Sequence, residues 1–180
     1  MILKMPKLAK SSLEQSQTVN SDFLLSVSSR LARLSTFDDI LAELLVIITD
    51  QTQGDRSTIF LNDPESQELY SRKAEGKLKH EIRILNTHGI AGFVFSKGES
   101  IIVHDVQNDP RFEKSIDEET GYETRNMLCL PIQNAQLEII GVVQVLNKKQ
   151  GRFTKSDLNH VAQIMQYSSF FIQSNQAIEK

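Results

Sequence analysis

The chain has 180 residues, of which 39% are hydrophobic and 24% charged, and its formal net charge is -3. That length fits one well-buried domain with flanking helices, and the ordinary composition excludes a disordered, collagenous or low-complexity chain. The slightly acidic net charge argues against nucleic-acid binding, which usually needs a basic surface. The chain has one cysteine and no apolar run that resembles a signal peptide or a membrane span, and this predicts a cytoplasmic protein without a membrane partner.

The N-terminal part of the chain is predicted to be helical after a loose start. Residues 1–19 show no clear period and are expected to form a flexible tail. Apolar residues then recur at helical spacing, and a second helix with a broad apolar face follows a cap at Ser35 or Thr36. These helices are expected to open a domain at residues 20–172, and residues 173–180 to be a helix end or a linker to an effector.

Strand signals dominate the middle of the domain. The strongest candidates are residues 127–133 and 138–147, which are rich in Ile, Val and Leu, and weaker ones lie at residues 56–62, 68–73, 81–85 and 99–104. Short helices are expected at residues 89–95 and 111–120, and a long helix from Thr154 or Ser156. This order predicts an α+β domain: an antiparallel sheet with terminal helices on one face, and an inserted segment free to cover the other.

No catalytic motif is found in the sequence. There is no phosphate loop, dinucleotide fingerprint or nucleophile elbow. The four histidines lack metal-ligand spacing, and Cys129 lies in an apolar strand where a thiol behaves as a small hydrophobe. The chain is therefore expected to be no enzyme and to need neither a metal nor a cofactor.

Three features suggest a bound ligand, and each has a simpler alternative. Gln144 interrupts an apolar strand, so its amide meets a ligand, another polar side chain or solvent. Asp117, Thr120 and Thr124 either bond a ligand or belong to a solvated helix with a capped end. The small residues at positions 89–92 either bring helix-start amides near an anion or form a tight connection.

Several of these positions lie within an ordered set of motifs, and Asp117 and Gln144 lie close to them in the sequence. The motifs are His88-Gly89-Ile90-Ala91-Gly92, Pro110-Arg111-Phe112, Thr120-Gly121-Tyr122-Glu123-Thr124-Arg125-Asn126, Leu128-Cys129-Leu130-Pro131-Ile132, and Asn147-Lys148 followed by Phe153 and Asp157. Together they resemble GAF domains, and more narrowly those of cyclic-nucleotide phosphodiesterases and cyanobacterial-type adenylyl cyclases. The resemblance runs from about residue 31 to residue 172.

The resemblance implies a six-stranded antiparallel sheet with terminal helices behind it and a lid in front. It implies that a regulatory ligand, cAMP or cGMP, is enclosed between sheet and lid. Signalling then passes through the terminal helices of a homodimer to an attached adenylyl cyclase, phosphodiesterase or histidine kinase. The implied ligand contacts are Thr58, Glu75, Ile90, Ala91, Phe112, Asp117, Thr120, Thr124 and Gln144, with the lid helix beginning at Phe112. Asn147, Lys148, Phe153 and Asp157 are implied to be structural, with Lys148 and Asp157 forming an ion pair.

The sequence departs from the family pattern near the purine. Ala74 and Glu75 stand where animal phosphodiesterase members often carry an aromatic residue and an Asp, so a stacking contact is lost and the choice between adenine and guanine stays open. At the structural motif, Leu158 follows Asp157 where Glu is usual. The alternative function is a GAF dimerisation or signalling module with no ligand or a different small molecule. A sulfoxide reductase of this fold depends on several cysteines, and this chain has one.

Overall fold

The computed structural model of the chain describes residues 21–74 and 81–176. The predicted tail at residues 1–19 lies outside these ranges, as does Glu75. The described elements are, in chain order, α1 (Ser21–Leu31), α2 (Phe37–Thr52), β1 (Arg56–Asp63), β2 (Glu68–Ala74), β3 (Arg83–Leu85), α3 (Gly89–Lys97), β4 (Ile101–Val103), a 3-10 turn (Val106–Asn108), α4 (Lys114–Thr120), β5 (Met127–Gln133), β6 (Ile139–Leu146) and α5 (Lys155–Gln176).

The six strands form one sheet in the order β3-β2-β1-β6-β5-β4, and every neighbouring pair is antiparallel. This confirms the six-stranded antiparallel sheet. The register between β1 and β6 depends on Gly141, because a Cβ there would lie 2.1 Å from the carbonyl oxygen of Phe60. A side chain at Gly141 would therefore push the two central strands apart.

Helices α1, α2 and α5 cover one face of the sheet. α2 begins at a Thr36 cap whose hydroxyl accepts a hydrogen bond from Asp39 N at 3.1 Å, as the sequence predicts. Its apolar stripe, including Leu41 and Ile48, packs on inward residues of the sheet such as Leu128 in one large hydrophobic cluster. Burial of this stripe against the sheet contributes hydrophobic stabilisation to the fold.

The opposite face is covered by α3, the 3-10 turn and α4, which are contributed by the segment inserted between β3 and β5. A smaller cluster there includes Phe60, Ile90, Val94 and Met127. The sheet is thus buried on both sides, and its central strand β1 is buried at five consecutive positions. The predicted division, with terminal helices on one face and an inserted segment on the other, is confirmed.

Two of the weaker predicted strands, at residues 81–85 and 99–104, are shorter in the structure. β3 and β4 have three residues each because they lie at the sheet edges and pair with one neighbour. The prediction that the lid helix starts at residues 111–112 was wrong, since α4 begins at Lys114. Asp109 is the cause: its carboxylate accepts a hydrogen bond from Arg111 N, and its carbonyl accepts one from Phe112 N, which closes a turn with Pro110 at its second position.

Two negative findings apply to residues 21–74 and 81–176. None of the helices there combines the length and apolar character needed to span a membrane. No three His, Cys, Asp or Glu side chains among the same residues come together as a metal site.

Candidate functional site

A cavity lies between the sheet and the inserted segment. It holds about 660 Å³ of space that protein atoms do not fill, part of it open to solvent. Residues of β1, β5 and β6 form its floor, α3 and α4 form its walls, and Ile82 and Ile84 close one side. Eight of the nine ligand contacts implied by the resemblance line it: Thr58, Ile90, Ala91, Phe112, Asp117, Thr120, Thr124 and Gln144. The ninth, Glu75, lies outside the described residues.

The floor carries two polar side chains from adjacent strands. Thr58 of β1 stands directly opposite Gln144 of β6, and both line the cavity. Thr58 is 5% exposed and Gln144 is half-buried. The sheet register therefore places a hydroxyl beside a primary amide, a pair that offers both donors and acceptors to a guest.

Cys129 of β5 faces Gln144 from the other side. Burial raises the pKa of its thiol to about 12, although a hydrogen bond from Gln144 acts in the opposite direction. A neutral, fully buried thiol is a poor nucleophile, so Cys129 acts here as a packing residue.

The remaining lining is largely apolar. Phe60 and Met127 lie on the floor, Ile116 lies on α4, and the isoleucines at positions 82 and 84 face them. Sequence reasoning missed these residues as site residues. For Phe60 a signal exists, because alternate residues of a strand share a face and Thr58 is two positions away.

The first three residues of α3 line the cavity. His88 precedes the helix, but its side chain is hydrogen-bonded to Thr87 Oγ1 at 3.1 Å and does not cap it. The first helical bond runs from Gly92 N to His88 O, so the amides at Gly89, Ile90 and Ala91 lie at the positive end of the helix without a capping side chain. Such an end favours an anion.

Gly92 allows this helix start to approach the preceding loop. A Cβ at Gly92 would lie 2.7 Å from the carbonyl carbon of Thr87. The sequence motif of small residues at positions 89–92 therefore has a packing reason as well as a ligand-facing one.

The lid residues are brought together, and their polar atoms bond to one another. Asp117 accepts hydrogen bonds from the backbone N and the hydroxyl of Thr124, both at 2.7 Å. Thr120 donates its hydroxyl proton to Ile116 O at 2.7 Å. Gln107 Nε2 adds a bond to Thr124 O at 3.0 Å. These contacts fix the C-terminal end of α4 above the floor.

Arg56 and Tyr122 are cavity residues that sequence reasoning missed. The guanidinium carbon of Arg56 lies 4.0 Å from the centre of the Tyr122 ring. Burial, followed by the neighbouring Asp55 carboxylate, raises the pKa of Tyr122 to about 12. Arg56 therefore brings a permanent positive charge to the cavity wall, with one face of its planar group covered by an aromatic ring.

The Asn-Lys…Phe…Asp residues lie outside the cavity lining and connect the lid segment to the terminal helices. Asn147 Oδ1 accepts from Arg125 N at 2.7 Å, and its Nδ2 donates to Glu123 O at 2.8 Å. Lys148 Nζ lies 2.7 Å from Asp157 Oδ1 and donates to Thr52 O at 2.9 Å.

The hydrogen bonds of Asn147 and Lys148 join separate segments of the chain. Asp157 lies in the first turn of α5 and Thr52 ends α2, so Lys148 joins both helices to the end of β6. Phe153 is buried beneath the Lys148 ammonium group. These contacts give the four residues of the motif a structural role that requires no ligand.

Solved structures of low sequence identity share this fold. A GAF domain from a phosphoenolpyruvate-protein phosphotransferase of Coxiella burnetii is 17% identical, with a TM-score of 0.75, and the match covers 88% of this chain and 96% of that one. Free methionine-R-sulfoxide reductase from Neisseria meningitidis is 19% identical, with a TM-score of 0.72 and coverage of 86% and 89%. Because proteins with such different names share the architecture, these similarities show the fold alone.

Sequence comparison gives a nearer relative. Over 150 residues the chain is 31% identical to a probable 3',5'-cyclic phosphodiesterase, pde-5, of Caenorhabditis elegans. The match covers 76% of this chain and 20% of the phosphodiesterase, so the chain spans about a fifth of that protein's length. The profile of the GAF domain family matches residues 36–169, which include the sheet, the lid and most of α5. The chain belongs to the GAF domain family.

Proposed function

We propose that this GAF domain is a regulatory sensor that binds a cyclic nucleotide, cAMP or cGMP, in the cavity between sheet and α4. The observation that carries the proposal is the arrangement of the cavity: a polar pair on the floor, Thr58 and Gln144, and the uncapped start of α3, with apolar walls between them. A cyclic nucleotide has a matching distribution of groups, with an anionic phosphate at one end and a flat base with polar edges at the other.

Each part of the cavity has a role in this proposal. The amides at Gly89, Ile90 and Ala91 receive the cyclic phosphate, because a helix N-terminus stabilises an anion. Arg56 adds a positive charge at the wall. The base lies among the apolar side chains, and the floor pair bonds its polar edge. The similarity to a probable cyclic phosphodiesterase supports this choice of ligand.

The proposed signal travels from the lid to the terminal helices of a homodimer. Asp117 holds Thr124, the neighbouring backbone bonds to Asn147, and Lys148 bonds to both α5 and α2. A ligand that binds more tightly to one position of α4 shifts the balance between its positions, and the helices respond through these bonds. The effector that receives the signal is proposed to be a phosphodiesterase, an adenylyl cyclase or a histidine kinase.

Calorimetric titration of the purified chain with cAMP and with cGMP tests the proposal. We expect saturable binding of at least one nucleotide, and binding about tenfold weaker in Gln144→Leu, because a buried base edge then loses its partner. Gln133→Leu is the matched control, since Gln133 is exposed at the end of β5 outside the cavity. If neither nucleotide produces heat of binding or a shift in the unfolding temperature, the proposal of a cyclic-nucleotide sensor is wrong.

A second candidate is a GAF dimerisation module with no ligand or with a different small molecule. The observation that favours it is the lid, where Asp117, Thr120 and Thr124 satisfy their polar groups within the protein. Mass spectrometry of small molecules released from the freshly purified chain separates the candidates. If the second candidate is correct, we expect mass spectrometry to find no nucleotide and sedimentation to show a dimer.

A further inference from the structure

A second concave surface adjoins the cavity. This outer groove has about 880 Å³ of unfilled space between α3 and the loop that leads into α4. Three of its lining residues, Gly89, Phe112 and Glu113, also line the inner cavity. These three residues are therefore the wall between the outer groove and the cavity.

The wall is formed by a short strap, residues 109–113, which lies against the start of α3. Within the strap, Asp109 accepts two hydrogen bonds from the Arg111 guanidinium, at 2.9 Å and 2.7 Å, and a further one from Arg111 N. These bonds and the turn at Pro110 make the strap internally rigid. It is therefore built to move as one piece.

The strap has one aromatic contact with α3. The guanidinium carbon of Arg111 lies 4.5 Å from the centre of the Phe93 ring. At Gly89 the seam is close: a Cβ added there would lie 3.9 Å from Arg111 O and 3.9 Å from Glu113 Cβ. Phe112 of the strap packs, partly buried, against the smaller apolar cluster, which contains residues of α3. The Arg111–Phe93 contact adds only a weak cation–ring attraction, so the strap is held to α3 by apolar and cation–ring contacts.

The other end of the lid is held more strongly. Asp117 bonds to Thr124 by two short hydrogen bonds, and Tyr122 bonds to Asp55 and to Asn147. A lid with one firm end and one weak end opens at the weak end. For α4 that end is the strap.

We propose that the strap is the gate of the cavity: the ligand passes through the outer groove when the seam between residues 109–113 and α3 opens, and the Arg111–Phe93 contact is the latch. This inference rests on the proposed function for the identity of the ligand. The route by which a molecule enters the cavity does not depend on that identity. The latch controls the rates of association and release, while the floor and the α3 amides determine affinity.

A reversible crosslink tests the gate. The Cβ positions at 89 and 113 are 3.9 Å apart, within the span of a disulfide, so Gly89→Cys with Glu113→Cys is expected to close the seam on oxidation. Gly89 has a φ of 70°, so the cysteine strains the backbone in both redox states, and the comparison is made within this one variant. The native Cys129 is buried and does not compete. In stopped-flow experiments with a fluorescent cAMP or cGMP analogue, the oxidised protein is expected to bind and release at least tenfold more slowly than the same protein after reduction. Equal rates in the two redox states would overturn the gate.

A second measurement does not depend on nucleotide binding. Thr58→Cys places a thiol on the cavity floor, and iodoacetamide must reach it from solvent. Adding Phe93→Leu removes the latch alone, and adding Arg111→Ala removes it together with the guanidinium bonds to Asp109. Both are expected to raise the alkylation rate at least about threefold, in keeping with the strength of a cation–ring contact. Adding Arg152→Ala is the matched control, because Arg152 is an exposed arginine remote from both concave surfaces.

The two measurements separate two kinds of failure. If the reduced crosslink variant and the native chain bind neither nucleotide, the proposed ligand is wrong, and the alkylation rates still test the gate. If alkylation is equally fast with and without the latch, the ligand reaches the cavity by another route and the gate is wrong.

Discussion

The two faces of the sheet are packed in different ways. On the helix side, side chains such as Leu41, Leu128 and Val143 form a continuous apolar cluster with α1, α2 and α5. On the lid side a smaller cluster surrounds an unfilled cavity lined by polar residues such as Thr58 and Thr124, whereas a buried polar residue of the helix side such as Ser57 is hydrogen-bonded to α2. The comparison teaches that one face of this sheet provides stability and leaves the other face free to hold a guest.

Neighbouring residues of β5 test this comparison with the largest expected effect. Leu128 faces the helices and Met127 faces the cavity. Leu128→Ala is expected to lower the free energy of unfolding by about 3 kcal/mol, because it opens a new void in a filled core. Met127→Ala is expected to cost about 2 kcal/mol or less, because the space beside Met127 is already open. Urea unfolding measures both, and equal losses would contradict the division.

The ion pair that joins α5 to the end of β6 is expected to give the next largest effect. Lys148→Met leaves Asp157 without its ion pair, and the two side chains are 14% and 11% exposed. Loss of one partner of a buried pair costs several kcal/mol, and the partial exposure here reduces the expected loss to about 2 kcal/mol. Urea unfolding measures this loss as well. Lys149→Met is the matched control, since Lys149 is exposed, and a loss as large there would show that the pair is unimportant.

The lid is expected to open locally while the helix-side core stays folded. Thr124→Val removes the hydroxyl that donates to Asp117 and is expected to weaken the lid by about 1 kcal/mol. Hydrogen exchange is expected to become faster in α4 and to stay unchanged in α2, because local opening of the lid leaves the larger cluster intact. Equal acceleration in both helices would mean that the two faces unfold as one unit.

Tyr122 gives the smallest expected effect and reports on the seam between β1 and the lid. Its pKa of about 12 lies above the usual value of 10, chiefly because of burial. The folded chain keeps this proton after the unfolded chain has lost it. The contribution of the group to stability is therefore complete below pH 10 and is lost as the pH rises towards 12.

Ultraviolet titration of the phenols measures this effect. One of the three tyrosines is expected to ionise near pH 12, and Tyr122→Phe should remove that step while lowering the free energy of unfolding by about 1 kcal/mol. If the step near pH 12 persists in the variant, another group causes it.

The sequence by itself determined the helix and strand types because their signals are short-range. The cap at Thr36, the apolar stripe of α2 and the two apolar strands β5 and β6 all depend on residues within a few positions of one another. The family motifs added the arrangement of the layers and the set of cavity residues. The start of α4 was misplaced because the competing turn at Asp109 leaves no mark on helical periodicity.

Only the tertiary structure decided what those residues touch. Thr58 meets Gln144 through strand register, and Lys148 reaches the carbonyl of Thr52 across 96 positions of sequence. Asp117 accepts two hydrogen bonds from Thr124, and Arg56 enters the cavity wall because Tyr122 is folded against it. Contacts between remote residues depend on how the layers pack, and a local pattern contains no information about that packing.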